Sequence, residues 1–131
     1  MRSLAIIVTA GMVAASATVA AGQAGFTRTP LQDHPISAAN RHGVTARVDI
    51  DPGAQSGRHT HPGEEFVYVV AGTVQLEVDG QAAKVFKVGE AFFLPAGAVH
   101  NGKNVGADKA VMVSTFVVEV GKPLTTPTPV K

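Results

Sequence analysis

The sequence predicts an all-β domain, a sandwich or barrel assembled from short strands. The chain of 131 residues contains 14 glycines and 8 prolines, which divide it into short segments rich in valine and other strand-favouring residues. After the N-terminal region, no segment shows the 3.6-residue apolar repeat of an amphipathic helix. A chain of this length forms at most one domain, and it is long enough to bury a core of its own.

Five segments carry the strand pattern, and each ends at a turn signal. They are residues 46–51, 65–72, 73–86, 90–94 and 109–120. The third is predicted to be a hairpin that turns at Asp79 and Gly80, because both residues tolerate positive φ. Residues 45–120 are therefore assigned to a barrel domain. The polar, proline-interrupted residues 22–44 are predicted to form an N-terminal arm that lies against a neighbouring subunit. Residues 121–131, with three prolines, are predicted to form a flexible tail that is either extended or disordered.

The N-terminal residues 1–21 resemble a secretory signal peptide. Arg2 precedes an uncharged, largely apolar run over residues 4–19, and Val19, Ala20 and Ala21 fit a cleavage site. We therefore predict export to the periplasm or outside the cell, with cleavage near Ala21. An uncleaved membrane anchor is the alternative, although the run is barely long enough to span a bilayer.

Composition and charge argue against three classes of protein. The chain has no cysteine, so neither a disulfide framework nor a lipid anchor on cysteine can form. The formal net charge is +1, and the basic residues are not clustered, so no nucleic-acid-binding surface is predicted.

Residues 57–66, GRHTHPGEEF, place two of the five histidines two positions apart. In a strand, His59 and His61 point to the same face, and Glu65 joins them if the register survives the turn at Pro62 and Gly63. Buried together, these three polar groups would need partners or a metal ion. On its own the pair of histidines fits two interpretations: half of a metal site, or imidazoles that hydrogen-bond to backbone carbonyls at a barrel rim.

A second stretch, residues 89–104, GEAFFLPAGAVHNGKN, places another histidine just after a proline-glycine corner. The two stretches read Gly53-x5-His59-x-His61-x3-Glu65-x6-Gly72 and Gly89-x5-Pro95-x-Gly97-x2-His100-x3-Asn104. At all ten specified positions they match the two motifs of the cupin superfamily. The chain thus resembles a small single-domain cupin with the cupin type-2 conserved barrel, and the resemblance is close over residues 53–104.

The resemblance implies a double-stranded β-helix, also called a jelly-roll or cupin barrel, and often a homodimer. It implies that His59, His61, Glu65 and His100 bind one divalent metal ion inside the barrel. Three imidazoles and one carboxylate suit Fe, Mn, Ni, Cu, Co or Zn. Four such ligands in an octahedral shell leave two positions for water, substrate or oxygen, as catalysis requires.

The remaining polar residues near the motifs have less specific interpretations. Glu64 has the opposite parity to Glu65 and is expected to face solvent or a subunit contact, with a role near the metal as the alternative. Arg58 is either a solvated surface residue or an anchor for an anionic substrate. Asn104 is expected to close a turn, and His34 and His42 are expected to lie on the surface.

Neither the fold nor the metal site specifies the reaction, because cupins include dioxygenases, isomerases, decarboxylases, sugar-binding modules and storage proteins. Small single-domain cupins often resemble quercetin dioxygenase-like proteins, which does not specify a substrate. We expect a metal-dependent enzyme, dioxygenase-like or an isomerase, that acts on a small oxygenated organic molecule. A metal-dependent binding or sensing module and a barrel merely stabilised by its metal are the alternatives.

Overall fold

The computed structural model describes residues 23–130, so the predicted signal peptide lies outside the described residues. Residues 23–130 form strands and turns, and no helix among them is long and apolar enough to cross a membrane. The strands are β1 (Phe26–Pro35), β2 (Arg41–Ile50), β3 (His59–Thr60), β4 (Gly63–Ala71), β5 (Thr73–Val78), β6 (Lys84–Lys87), β7 (Ala91–Leu94), β8 (His100–Asn104), β9 (Ala110–Glu119) and β10 (Thr126–Pro127). The predicted all-β fold is confirmed.

The strands form two five-stranded antiparallel sheets. Sheet A has the order β1-β2-β9-β4-β7, and sheet B has the order β10-β3-β8-β5-β6. Along β4 the inward side chains Val67 and Val69 are buried, whereas Phe66 and Tyr68 are about half exposed on the outer face. This alternation is the period-two pattern of a strand with one face on the core.

The N-terminal segment is more regular than its sequence suggested. Strand β1 pairs antiparallel with β2 of the same chain, from Phe26 opposite Ile50 to Pro35 opposite His42. Prolines such as Pro30 are tolerated here because β1 is the edge strand of sheet A and needs no donors on its outer side. Contact between this segment and a neighbouring subunit stays a prediction.

The C-terminal segment is paired with the barrel. Thr126 and Pro127 lie opposite Thr60 and His59 of β3. The next backbone amide, that of Thr128, donates a hydrogen bond to the Arg58 carbonyl at 2.9 Å. These bonds place the segment beside the first histidine motif.

Gly63 sets the distance between β4 and β9. A Cβ atom at this position would lie 1.9 Å from the Val117 carbonyl oxygen, so any side chain would force the two strands apart. The glycine therefore allows the start of β4 to pack directly on β9, two residues before Glu65.

Candidate metal centre

All four residues that the motifs predicted as metal ligands lie together inside the barrel. His59 is in β3, His61 is in the turn that leads to β4, Glu65 is in β4, and His100 begins β8. His59 and His100 are direct cross-strand partners. Each of the four is at most 6% exposed, so the stretch GRHTHPGEEF and the second motif meet in the interior.

The candidate ligand atoms converge on one point. The Nε2 atoms of His59 and His61 are 3.2 Å apart. The Glu65 Oε2 atom is 3.2 Å from His61 Nε2 and 3.5 Å from His100 Nε2. One ring nitrogen from each of the three histidines lies within 4.8 Å of the others.

The opposite nitrogen of each imidazole is held by a backbone carbonyl. The Nδ1–H groups of His59, His61 and His100 donate to the carbonyls of Gly57, Leu124 and Ala98, at 2.7, 2.6 and 2.9 Å respectively. A carbonyl can only accept a hydrogen bond, so each Nδ1 carries a proton and each neutral imidazole has a bare Nε2. The rings therefore bond to backbone carbonyls, as the second interpretation of the histidine pair expected, and their free nitrogens face one another, while metal binding stays a prediction.

This arrangement fits a metal ion. Bare Nε2 atoms cannot hydrogen-bond to each other or to a carboxylate, so their close approach needs a cation or added protons between them. Two ligands at roughly 2.1 Å from one ion and at a right angle lie about 3.0 Å apart, close to the distances found here. Carbonyl bonds to the far nitrogens orient the rings as is usual for metal-bound histidine. The three imidazoles could hold a metal ion.

The electrostatic setting keeps the site ready to bind a cation. Burial and, to a smaller extent, the neighbouring His100 together lower the pKa of His59 to about 3, so this imidazole stays neutral. Burial raises the pKa of Glu65, but its close contacts with the His100 and His61 imidazoles outweigh this and hold that pKa below its ordinary value.

A small cavity adjoins the four residues. Its volume is about 30 Å³, and His59, Glu65 and His100 line it together with mostly apolar side chains. A water molecule needs roughly 10–15 Å³ by this measure, so the cavity accepts about two waters or a molecule with few non-hydrogen atoms. The polar side chains in its wall besides the predicted ligands are Arg28, Ser56 and Ser114.

Sequence reasoning missed Arg28, Ser114 and the role of Leu124. Arg28 belongs to β1, whose proline-interrupted sequence hid the strand, although Phe26 and Arg28 already have the parity of a buried face. Ser114 lies inside the valine-rich β9, where only the alternation of the strand marks it as inward. Nothing in the sequence indicated that the Leu124 carbonyl would bind His61.

The other polar residues are placed away from the cavity. Glu64 is partly exposed on the face of β4 opposite to Glu65. Arg58 forms a bidentate ion pair with Asp79 at 2.5 and 2.7 Å. Asn104 donates to the carbonyls of Ile50 and Asp108 and so braces the turn after β8, as expected.

The two remaining histidines also lie outside the cavity. His34 is exposed. His42 is partly exposed and lies 2.8 Å from a carboxylate oxygen of Asp33. Neither contributes to the candidate metal centre.

Comparison with known proteins agrees with the geometry. The family model described as "Cupin domain" matches residues 46–117. The chain belongs to the cupin family. The predicted membership in the cupin superfamily is thereby confirmed.

Curated relatives of this cupin include plant germin-like proteins. Germin-like protein 3-8 of Oryza sativa subsp. japonica is 34% identical over 113 residues, which are 82% of this chain and 49% of that protein. Germin-like protein subfamily 2 member 2 of Arabidopsis thaliana is 41% identical over 76 residues, which are 54% of this chain and 35% of that protein. The cupin thus spans about half or less of the length of these relatives.

Solved structures confirm the double-stranded β-helix. An uncharacterized conserved protein with a double-stranded beta-helix domain from Klebsiella pneumoniae superposes with a TM-score of 0.65 at 19% identity, over 79% of this chain and 86% of that chain. Recombinant oxalate oxidase in complex with glycolate superposes with a TM-score of 0.65 at 27% identity, over 79% of this chain and 55% of that chain.

Proposed function

We propose that His59, His61, Glu65 and His100 hold one divalent transition metal ion, and that this cupin is an exported metal-dependent enzyme. It acts on a small oxygenated organic molecule in a dioxygenase-like reaction or an isomerisation. The observation that carries the proposal is the convergence of three bare imidazole nitrogens, two of which lie within 3.5 Å of the buried Glu65 carboxylate. That donor set suits Fe, Mn, Ni, Cu, Co or Zn.

The protein's own residues would prepare the site for chemistry. A bound metal ion would supply Lewis acidity, or redox chemistry if it is redox-active, at coordination positions that the four residues leave open. The carbonyls of Gly57, Leu124 and Ala98 hold the imidazoles in place. The apolar wall of the cavity limits the access of water, which strengthens electrostatic interactions with a bound substrate.

Non-catalytic, metal-dependent binding or sensing is the second candidate, and one observation favours it. Among residues 23–130, every imidazole and carboxylate that lines the cavity is already a proposed metal ligand. No other side chain of these types remains there to act as a general base. An enzyme would therefore need a metal-bound group or Glu65 itself to move protons.

The cavity beside the proposed metal ligands supports a small molecule as the partner of this cupin. A small molecule fits the size of the cavity, and the relatives include an oxalate oxidase that was crystallised with glycolate. Export through the N-terminal signal peptide and assembly into a homodimer stay predictions. We propose neither a nucleic-acid partner nor, once the signal peptide is cleaved, a stable membrane anchor.

Elemental analysis of the mature protein, purified without a metal-affinity resin, tests the proposal. We expect about one equivalent of metal per chain, and the loss of most of it in His100→Ala but not in the control His34→Ala. Iron, manganese, nickel or copper would justify assays of oxygen uptake, whereas zinc alone would favour Lewis-acid chemistry or binding. No metal in the purified protein and none taken up on addition would refute the proposed function.

A further inference from the structure

Arg28 and Ser114 are polar residues in the cavity wall that the metal centre does not explain. Arg28 reaches the cavity from β1, and Ser114 reaches it from β9. They approach from neighbouring regions of sheet A, since both β1 and β9 pair with β2. Arg28 lies opposite Val48, and Val48 lies opposite Met112, two residues before Ser114.

The Arg28 guanidinium is only partly satisfied. Its Nη1 donates a hydrogen bond to Thr125 Oγ1 at 2.6 Å, and its Cζ lies 5.4 and 5.6 Å from the ring centres of Phe26 and Phe116. Its Nε is buried and has no hydrogen-bond partner within residues 23–130. Nor does any carboxylate in that part of the chain form an ion pair with it at 4.0 Å or less.

The Ser114 hydroxyl is the second unpaired group. Its residue is 0% exposed, and the Oγ atom has no hydrogen-bond partner in the described part of the chain. A buried hydroxyl without a partner destabilises the folded protein. The inward positions around Ser114 in β9 are held by the apolar Met112 and Phe116, so an alanine or valine would be the expected residue there.

Charge in the metal-loaded cavity favours an anion. A divalent ion, the ionised Glu65 and the protonated Arg28 together carry a formal charge of about +2, with all three imidazoles neutral. Glu65 is engaged by the histidines, and its charge offsets only part of the effect of burial, which lowers the pKa of Arg28. A carboxylate would neutralise part of this buried positive charge. The planar guanidinium of Arg28, whose Nε has no hydrogen-bond partner within residues 23–130, is the kind of group that binds a carboxylate through two parallel hydrogen bonds.

We propose that Arg28 and Ser114 form an anion subsite beside the metal centre, which binds the carboxylate of a small organic acid. This inference rests on the proposed metal site and adds the class of its ligand. Arg28 supplies the charge and the paired donors, and the Ser114 hydroxyl donates one further hydrogen bond. The volume of about 30 Å³ restricts the ligand to an acid with few non-hydrogen atoms.

Titration calorimetry on the mature protein loaded with one equivalent of Zn²⁺ tests the subsite. The probes are acetate and glycolate, and acetamide is the neutral analogue of acetate. We expect Arg28→Met to weaken acetate binding about tenfold or more, since it removes charge-assisted hydrogen bonds. Arg47→Met, which removes an exposed arginine of β2, is the matched control and should bind acetate like the unmodified protein. Acetamide should bind weakly and equally to all three proteins.

Three further variants separate anion binding from a structural role. Thr125→Val removes the partner of Arg28 Nη1 and should leave acetate affinity within about twofold. Arg28→Lys keeps the charge but not the fork, and should retain part of the affinity. Ser114→Ala should weaken acetate binding a few-fold while it leaves the anion-free protein equally or more stable, because an unpaired hydroxyl is removed.

The outcomes distinguish the subsite from the metal site. Zinc binding with equal acetate affinity in Arg28→Met and Arg47→Met would overturn the subsite and leave the metal site standing. If Arg28→Met does not fold or load zinc, unchanged acetate affinity in both Arg28→Lys and Ser114→Ala would overturn it instead. Failure of the unmodified protein to bind zinc or any other divalent transition metal would overturn both proposals.

Discussion

Glu64 and Glu65 are adjacent carboxylates with opposite surroundings. Glu65 is 6% exposed and lies within 3.5 Å of two imidazole nitrogens, whereas Glu64 is partly exposed on the other face of β4. The difference arises because successive side chains of a strand point to opposite sides. Two residues of the same chemistry therefore have separate roles through strand parity alone.

This contrast makes a direct prediction about metal binding. Glu65→Ala should lose most of the bound metal, because it removes the only anionic ligand of the proposed set. Glu64→Ala, the matched control, should retain about one equivalent. Elemental analysis of both variants measures the difference, and equal losses would contradict the assignment of Glu65 as the ligand.

The pKa of His59 predicts how the metal-free protein responds to acid. Its folded-state pKa of about 3 lies below the ordinary value of 6.5, so between these values the unfolded chain binds a proton that the folded chain does not. The free energy of unfolding should therefore fall as the pH falls from about 6.5 toward 3. Urea unfolding at several pH values in this window measures the slope.

A variant isolates the contribution of this one imidazole. The slope should be smaller in His59→Asn, which cannot take up the proton, and unchanged in the control His34→Asn, which alters an exposed side chain. Equal slopes in all three proteins would show that burial of His59 does not penalise its charged form as described.

At the scale of elements, the C-terminal segment contributes to the candidate metal centre. The Leu124 carbonyl accepts the hydrogen bond from His61 Nδ1, and the Leu124 side chain packs against the core cluster that contains Phe116. Strand β10 then holds the segment on β3. The tail therefore orients one imidazole of the proposed ligand set, although it lies far from that imidazole in sequence.

Truncation tests this role of the tail. Removal of residues 124–131 should weaken metal binding about 10–100-fold, as is typical when a partner that orients a ligand is lost. Removal of residues 129–131 alone, which keeps both Leu124 and β10, is the control. Competition with a chelator of known affinity measures the change, and equal affinities in the two truncated proteins would rule out orientation of His61 by the tail.

The strands differ in how well local sequence patterns predict them. Strands β4 and β5 and the turn at Gly80 were predictable because alternation and turn residues are local signals. Strands β1 and β10 were not, because both lie at sheet edges, where proline and polar residues are tolerated and the usual pattern is weak. Arg28 and Ser114 were not predicted as cavity residues either. Arg28 lies in the proline-interrupted edge strand β1, and Ser114 lies inside the valine-rich strand β9.

At the scale of the whole molecule, the candidate metal centre joins the two sheets. His59 and His100 belong to sheet B, and Glu65 belongs to sheet A. One ion bound to all three would link the sheets through the interior of the barrel. If the proposed ion binds, the stability of the fold and the occupancy of the site would therefore be coupled.

This coupling predicts that metal stabilises the native protein. At a free metal concentration of about 100 times the Kd, the free energy of unfolding should rise by about 2.7 kcal/mol. His100→Ala should abolish most of the increase, and His42→Ala, a substitution beside the surface residue Asp33, should keep it. Chemical denaturation with and without metal measures the effect, and an increase that persists in His100→Ala would place the stabilising ion elsewhere.

By itself, the sequence determined the all-β class, the two motifs and the four residues that they predict as ligands. Strand parity, turn chemistry and residue spacing are local properties, so they can be read along the chain. Only the tertiary structure decided that the Leu124 carbonyl orients His61 and that Arg28 and Ser114 face the same cavity. These contacts join residues far apart in sequence, and they depend on strand register and edge pairing, which long-range packing sets.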